Sequence, residues 1–152
     1  MKNLRLVTIL LALLALSFTS CDDDDAEQIV IDSSLPNGST NVLRSGSLVA
    51  QNGTPTSGNV EILTDTDGAT FLRFADNFTT ELGTGTVSIY FSTSDTFNPD
   101  PANGNPDLML VGAVSNNGES FFKLNGSVAS KYTHIILWCG SANIPFGNAQ
   151  LQ

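Results

Sequence analysis

Between Thr86 and Ser92 the chain alternates strictly: Val87, Ile89 and Phe91 are apolar, and the hydroxyl-bearing Ser88, Tyr90 and Ser92 separate them. A period of two sends successive side chains to opposite faces of an extended backbone, so this segment reads as a β-strand with one buried face. Similar short runs occupy Gly46–Gln51, Asn59–Leu63, Thr70–Phe74, Asp107–Ser115, Glu119–Leu124, Lys131–Cys139 and Ile144–Leu151. Twelve of the 13 glycines lie from Arg44 onward and punctuate these runs. Gly58, Asp67-Gly68, Asn117-Gly118 and Asn125-Gly126 are typical turn residues. No stretch sustains a helical period. The expected fold is all-β, a single β-sandwich of about eight strands over residues 44–152, with Greek-key or meander connections. One long loop, 93–106, is rich in Asp, Asn, Pro and Gly.

The N-terminus reads differently. Lys2 and Arg5 precede an apolar stretch from Leu6 to Leu16 that only Thr8 interrupts. A membrane span needs about 20 apolar residues, so this shorter run reads as a secretory signal that is removed. It ends in Phe18-Thr19-Ser20-Cys21, small residues before a cysteine, and resembles a bacterial lipoprotein signal peptide. The resemblance implies cleavage after Ser20 and lipidation of Cys21, a membrane-anchored lipoprotein exported to the outer membrane. An ordinary secretory signal with an incidental cysteine is the alternative. Asp22–Asp25 follow at once. Such a run is a solvated spacer by charge repulsion, and it also resembles the surface-export signal of Bacteroidota lipoproteins, which implies exposure at the cell surface. The expected organisation is a signal peptide over 1–20, an acidic flexible tether over 21–43 with one short apolar stretch at Ile29–Ile31, and the β-domain over 44–152.

Charge narrows the function. The 152 residues carry 6 Lys+Arg against 15 Asp+Glu, a formal net charge of −9. Loss of Lys2 and Arg5 with the signal leaves a still more acidic chain with no basic stripe, which argues against nucleic acid as a partner. One His and two Cys cannot build a zinc finger. No Gly-x-Ser-x-Gly elbow is present, and His134 is the sole histidine base available to a nucleophile. On a regular strand Thr133, Ile135, Leu137 and Cys139 point one way and Tyr132, His134, Ile136 and Trp138 the other, so His134 and Cys139 do not form a dyad. Glu61, Glu81, Glu119 and six Asp supply carboxylates, but nothing pairs them, and Asp65 and Asp67 flank a turn. The run from Asn98 to Asp107 offers oxygen atoms at alternate positions without the order of an EF-hand, which favours a turn over calcium. With no triad, metal cluster or cofactor motif, an accessory role is expected in preference to catalysis.

Cys139 remains. If Cys21 carries lipid, Cys139 is the one thiol of the mature chain. It reads either as a small core residue beside Ile135 and Leu137 or as a redox thiol or thiolate ligand.

A resemblance bears on that choice. Tyr132-Thr-His-Ile-Ile-Leu-Trp138-Cys139, followed by Phe146-Gly147-Asn-Ala149-Gln-Leu151, resembles the end of the DM-thirteen domain. Ser45–Leu48 with Gly58–Ile62, and Leu72–Phe78 with Val87–Ser92, resemble its opening and central strand pairs. The resemblance covers about residues 44–151. It implies an all-β module associated with cytochrome and DOMON domains. It also implies an electron-transfer role on Cys139, as a bare thiol or through a bound group such as haem, with an envelope oxidoreductase or cytochrome as partner. Where many members place a His between the first two strands, this chain has Gln51–Ser57, which counts against a full set of cofactor ligands. The other reading is a non-redox surface module that binds a glycan or protein through loop 93–106, Tyr90 or Trp138. A structural envelope spacer is a third.

Overall fold

The structure, a computed structural model, describes residues 35–100 and 104–152. All belong to one compact unit, Asp32–Gln152. Residues Ser20, Cys21, Asp22–Asp25 and Ile29–Ile31 lie outside the described residues. The described chain contains no helix and nine strands: β1 (Asn41–Ser47), β2 (Val49–Ala50), β3 (Asn59–Thr64), β4 (Thr70–Phe74), β5 (Val87–Ser92), β6 (Leu108–Ala113), β7 (Ser120–Lys123), β8 (His134–Cys139) and β9 (Ile144–Gln150). They form two antiparallel sheets, one ordered β1-β3-β4-β7 and the other β2-β9-β8-β5-β6. The expected all-β sandwich is present.

Alternation builds the core. Val87, Ile89 and Phe91 of β5 and Ile135, Leu137 and Cys139 of β8 face Val60 and Ile62 of β3 and Leu72 and Phe74 of β4, all buried in one cluster. Each such aliphatic or aromatic side chain contributes roughly 1.5–3 kcal/mol on burial. Phe74 adds ring contacts to Phe78 at 4.4 Å and to Phe122 at 5.9 Å, in the tilted and edge geometries that the aromatic quadrupole favours.

The first expected strand, Gly46–Gln51, is divided in the structure. The chain pairs with β3 through Ser47, then crosses at Leu48, 7% exposed in the core, and joins the other sheet as β2. A single run therefore serves two sheets, and β1 begins at Asn41, inside the segment read as tether. On this side the sheets are stitched together. Ser45 N–H donates to the Gln152 carbonyl at 3.0 Å, and Gln152 N–H donates to that of Ser45 at 2.9 Å. Gly46 permits the approach, because a Cβ there would stand 2.4 Å from the Gln150 carbonyl oxygen.

Tyr132 departs from the expected alternation. Strand β8 starts at His134, and the preceding Ala129–Tyr132 turn, closed by Tyr132 N–H on the Ala129 carbonyl at 3.1 Å, breaks the alternation. Tyr132 consequently enters the core against Phe91, at 6.3 Å between rings. From His134 onward the faces are as expected: Ile135, Leu137 and Cys139 point into the sandwich and His134, Ile136 and Trp138 to the other face of the sheet, where Ile136 is also fully buried.

Candidate functional site

Cys139 closes β8. Its cross-strand neighbours are Val87 on β5 and Ile144 on β9, and it is fully buried. Among the described residues it is a free cysteine. The β8–β9 turn begins directly after it, held by Asn143 N–H on the Cys139 carbonyl at 2.9 Å. Asn143 takes the left-handed conformation, φ 57°, that asparagine tolerates better than most residues.

The loop before β5 covers the thiol. Gly83 N–H donates to a Glu81 carboxylate oxygen at 2.6 Å. Gly85 has φ 132°, and a Cβ there would meet Ser141 Oγ at 2.3 Å, so glycine alone lets the loop lie against the β8–β9 turn. Between these glycines Thr84 is exposed, yet its Oγ1 lies 3.7 Å from Cys139 Sγ, within range for a sulfur hydrogen bond in which either atom can donate. The thiol is buried, but it touches the hydroxyl of a residue that is itself exposed. Thr84 is not among the residues that the sequence singles out. Its only signal is the Gly-Thr-Gly triplet at 83–85.

On the opposite face of the same sheet stands an aromatic stack. Trp138, the chain's one tryptophan, stacks on Phe97 with centroids 4.0 Å apart and planes at 22°. Phe97 meets Tyr90 edge-on at 4.9 Å. Tyr90 pairs with Ile136 and Trp138 with Ser88, so the two rings are diagonal neighbours on one face. Phe97 reaches them from the long loop, in which it is the one aromatic residue of segment 93–106. A lone aromatic in a polar loop was the available signal. The surface reading offered Tyr90 and Trp138 as open contacts for a ligand, whereas Phe97 occupies the space between them.

His134 sits at the other end of β8 from Cys139. Five residues at ~3.3 Å each separate the two positions by about 16 Å, and the side chains face opposite ways, so no Cys–His dyad exists. His134 Nδ1 lies 2.9 Å from Thr133 Oγ1. Its ring lines an open groove of about 660 Å³ at the junction of the sheets, shared with Ser45, Asn59, Asp95, Asn148 and Gln150 among others.

The carboxylates are held structurally. Arg73 on β4 is bridged by Glu61 at 2.8 Å and Glu119 at 2.7 Å. These hydrogen bonds raise the Arg73 pKa, Glu61 contributing most. Asp65 caps the β3–β4 turn and accepts from the backbone N–H groups of Asn37, Ala69 and Asp67 at 2.8–3.0 Å. Those bonds, that of Asn37 first, hold its carboxyl below the usual range. Oxygens of loop 93–106 are likewise engaged, several of them within the loop and the Thr93 carbonyl by Thr133 Oγ1 at 3.1 Å. Asn105 Oδ1 accepts from Asp107 N–H at 2.8 Å, the Asn105 amide donates to the Asn98 carbonyl, and the Asp100 carbonyl accepts from Gly104 N–H at 2.8 Å. Among the described residues no group of three or more His, Cys, Asp or Glu is placed to hold a metal ion.

Haem, which the resemblance implied, does not fit these residues. Cys139 Sγ faces a packed core and a threonine hydroxyl. The groove at the sheet junction and a smaller one beside Met109 and Leu124 do not include it, and the sole histidine is at the far end of its strand. A thiolate-ligated macrocycle needs an open face at the sulfur.

A two-sheet antiparallel sandwich with one inward cysteine at the end of a central strand defines the class. Residues 47–151 match the family model described as Electron transfer DM13, and the chain belongs to that family. No curated protein and no solved structure gives a significant match.

Proposed function

We propose that this chain is an exported, lipid-anchored envelope protein whose domain is an electron-transfer accessory module with Cys139 as its redox group. Family membership over 47–151 supports the redox role. The observation that carries the assignment to Cys139 is the contact between its buried Sγ and the hydroxyl of the exposed residue Thr84. Loss of an electron from a neutral thiol releases a proton, and a buried thiol needs a hydroxyl or water to take it. A small group beside solvent meets that need, while the surrounding core excludes larger reagents that would cap or crosslink the sulfur. Cys21 supplies the anchor by acylation after cleavage at Ser20, several chains holding far more firmly than one. The Asp22–Asp25 run favours display at the cell surface. The partner is an envelope oxidoreductase or cytochrome.

The test uses residues 22–152, which contain the whole compact unit and a single thiol. The protein is expected to show no visible chromophore. Mixed anaerobically with one equivalent of hexachloroiridate(IV), an outer-sphere oxidant strong enough for a thiol, it should give up one electron per chain with loss of its titratable thiol, a reaction that slows greatly in Cys139→Ser. Equal rates of hexachloroiridate(IV) consumption by both forms contradict the proposal.

The groove at the sheet junction favours a second reading. Its amides and hydroxyls on Ser45, Asn59, Asn148 and Gln150 suit a neutral polyhydroxyl ligand such as a glycan. Saturable binding of a neutral oligosaccharide, lost in Asn148→Ala and retained in Cys139→Ser, would favour that function.

A further inference from the structure

We infer that Trp138 is the electron port of the domain, the side chain through which the Cys139 thiol exchanges electrons with a one-electron carrier at the outer face of its sheet. This rests on the redox reading of Cys139.

The geometry follows from strand alternation. Cys139 and Trp138 are consecutive on β8, so the sulfur lies inside the sandwich and the indole outside, joined by a few covalent bonds through one peptide unit. On the inner side the cross-strand neighbours of the thiol, Val87 and Ile144, are aliphatic. Saturated side chains cannot hold an electron vacancy, whereas an indole is among the most readily oxidised side chains in proteins. Ser88, opposite Trp138, is small. Phe97 stacks on the indole at 4.0 Å and Tyr90 extends the contact at 4.9 Å, giving a half-buried aromatic surface that shields the ring from water without enclosing it.

An external one-electron acceptor strong enough to oxidise an indole, of the class of a ferryl haem, takes an electron from the indole. The vacancy is filled by an electron from sulfur as the S–H bond breaks, leaving a thiyl radical. The proton passes to Thr84 Oγ1, whose own proton moves to solvent. Re-reduction runs the same path backward. Electron and proton thus leave by different faces of the sheet.

The experiment is flash photolysis of residues 22–152 with a ruthenium photo-oxidant, following the indolyl radical optically and the thiol by subsequent titration. Because the chain has one tryptophan, the optical signal belongs to Trp138 alone. In the unsubstituted protein the radical is expected to decay as the thiol is oxidised. In Cys139→Ser the radical should persist at least about tenfold longer, a difference of about 1.4 kcal/mol in barrier. Trp138→Phe should slow thiol oxidation by at least about tenfold. Trp138→Tyr, which keeps an oxidisable ring of similar packing, should restore most of the rate, an outcome that a purely structural role would not produce. Thiol oxidation at an unchanged rate in Trp138→Phe overturns the port and leaves the redox thiol standing. An indolyl radical that never oxidises the thiol, with hexachloroiridate(IV) also failing to do so, overturns both.

Discussion

Thr84 Oγ1 lies 3.7 Å from Cys139 Sγ, the hydroxyl of an exposed residue resting on a fully buried thiol. On the proposed redox function, Thr84 is the residue that takes the proton from the sulfur. Thr84→Val removes the hydroxyl at nearly constant volume. Because the side chain is exposed, stability should change by less than about 0.5 kcal/mol. Thiol oxidation by hexachloroiridate(IV) should slow markedly and recover in Thr84→Ser, as stopped-flow mixing would show.

Phe97 ties the long loop to the sheet. Phe97→Ala removes both ring contacts, which are worth about 0.5–1.5 kcal/mol each beyond area burial. The indole would then meet water, and Trp138 fluorescence should shift to the red. An unshifted spectrum would mean that the loop does not cover the ring in solution.

The junction of the sheets depends on Gly46. Gly46→Ala places a methyl where the Gln150 carbonyl stands, forcing β1 from the end of β9. Overpacking of this kind costs about 1–3 kcal/mol. Chemical denaturation should read that loss, with amide exchange of Ser45 and Gln152 rising first.

Acid sensitivity should centre on Asp65. Its folded pKa is depressed by backbone N–H groups, that of Asn37 foremost. The stabilisation is therefore present above the unfolded pKa, near 3.9, and is lost as pH falls through the folded value. Asp65→Asn should be less stable than the parent at neutral pH, with the gap narrowing below about pH 4. A gap independent of pH would contradict the assignment.

Much of this architecture was legible from alternation and turn residues. Val87–Phe91, Ile135–Cys139 and the Asp67-Gly68 turn lie where a period of two and local turn chemistry place them. Leu48 was not legible, since a strand that leaves one sheet for another keeps its apolar pattern, and only tertiary pairing shows the crossing. Tyr132 failed for a related reason: alternation holds within a strand, and the strand begins two residues later. Of the candidate site, Cys139 and the outward Trp138 could be read from the chain. Thr84 and Phe97 could not, because loops carry no periodicity and each acts across a distance in sequence, 55 residues between Thr84 and Cys139.

On the proposed function Cys139 carries the electron, and protein-film voltammetry of residues 22–152 reads that role. A one-electron wave is expected, with a midpoint that falls with rising pH, as proton loss requires, and that vanishes in Cys139→Ser while the far-ultraviolet spectrum stays unchanged. A wave that survives the substitution, or no wave in the parent protein, would contradict that role.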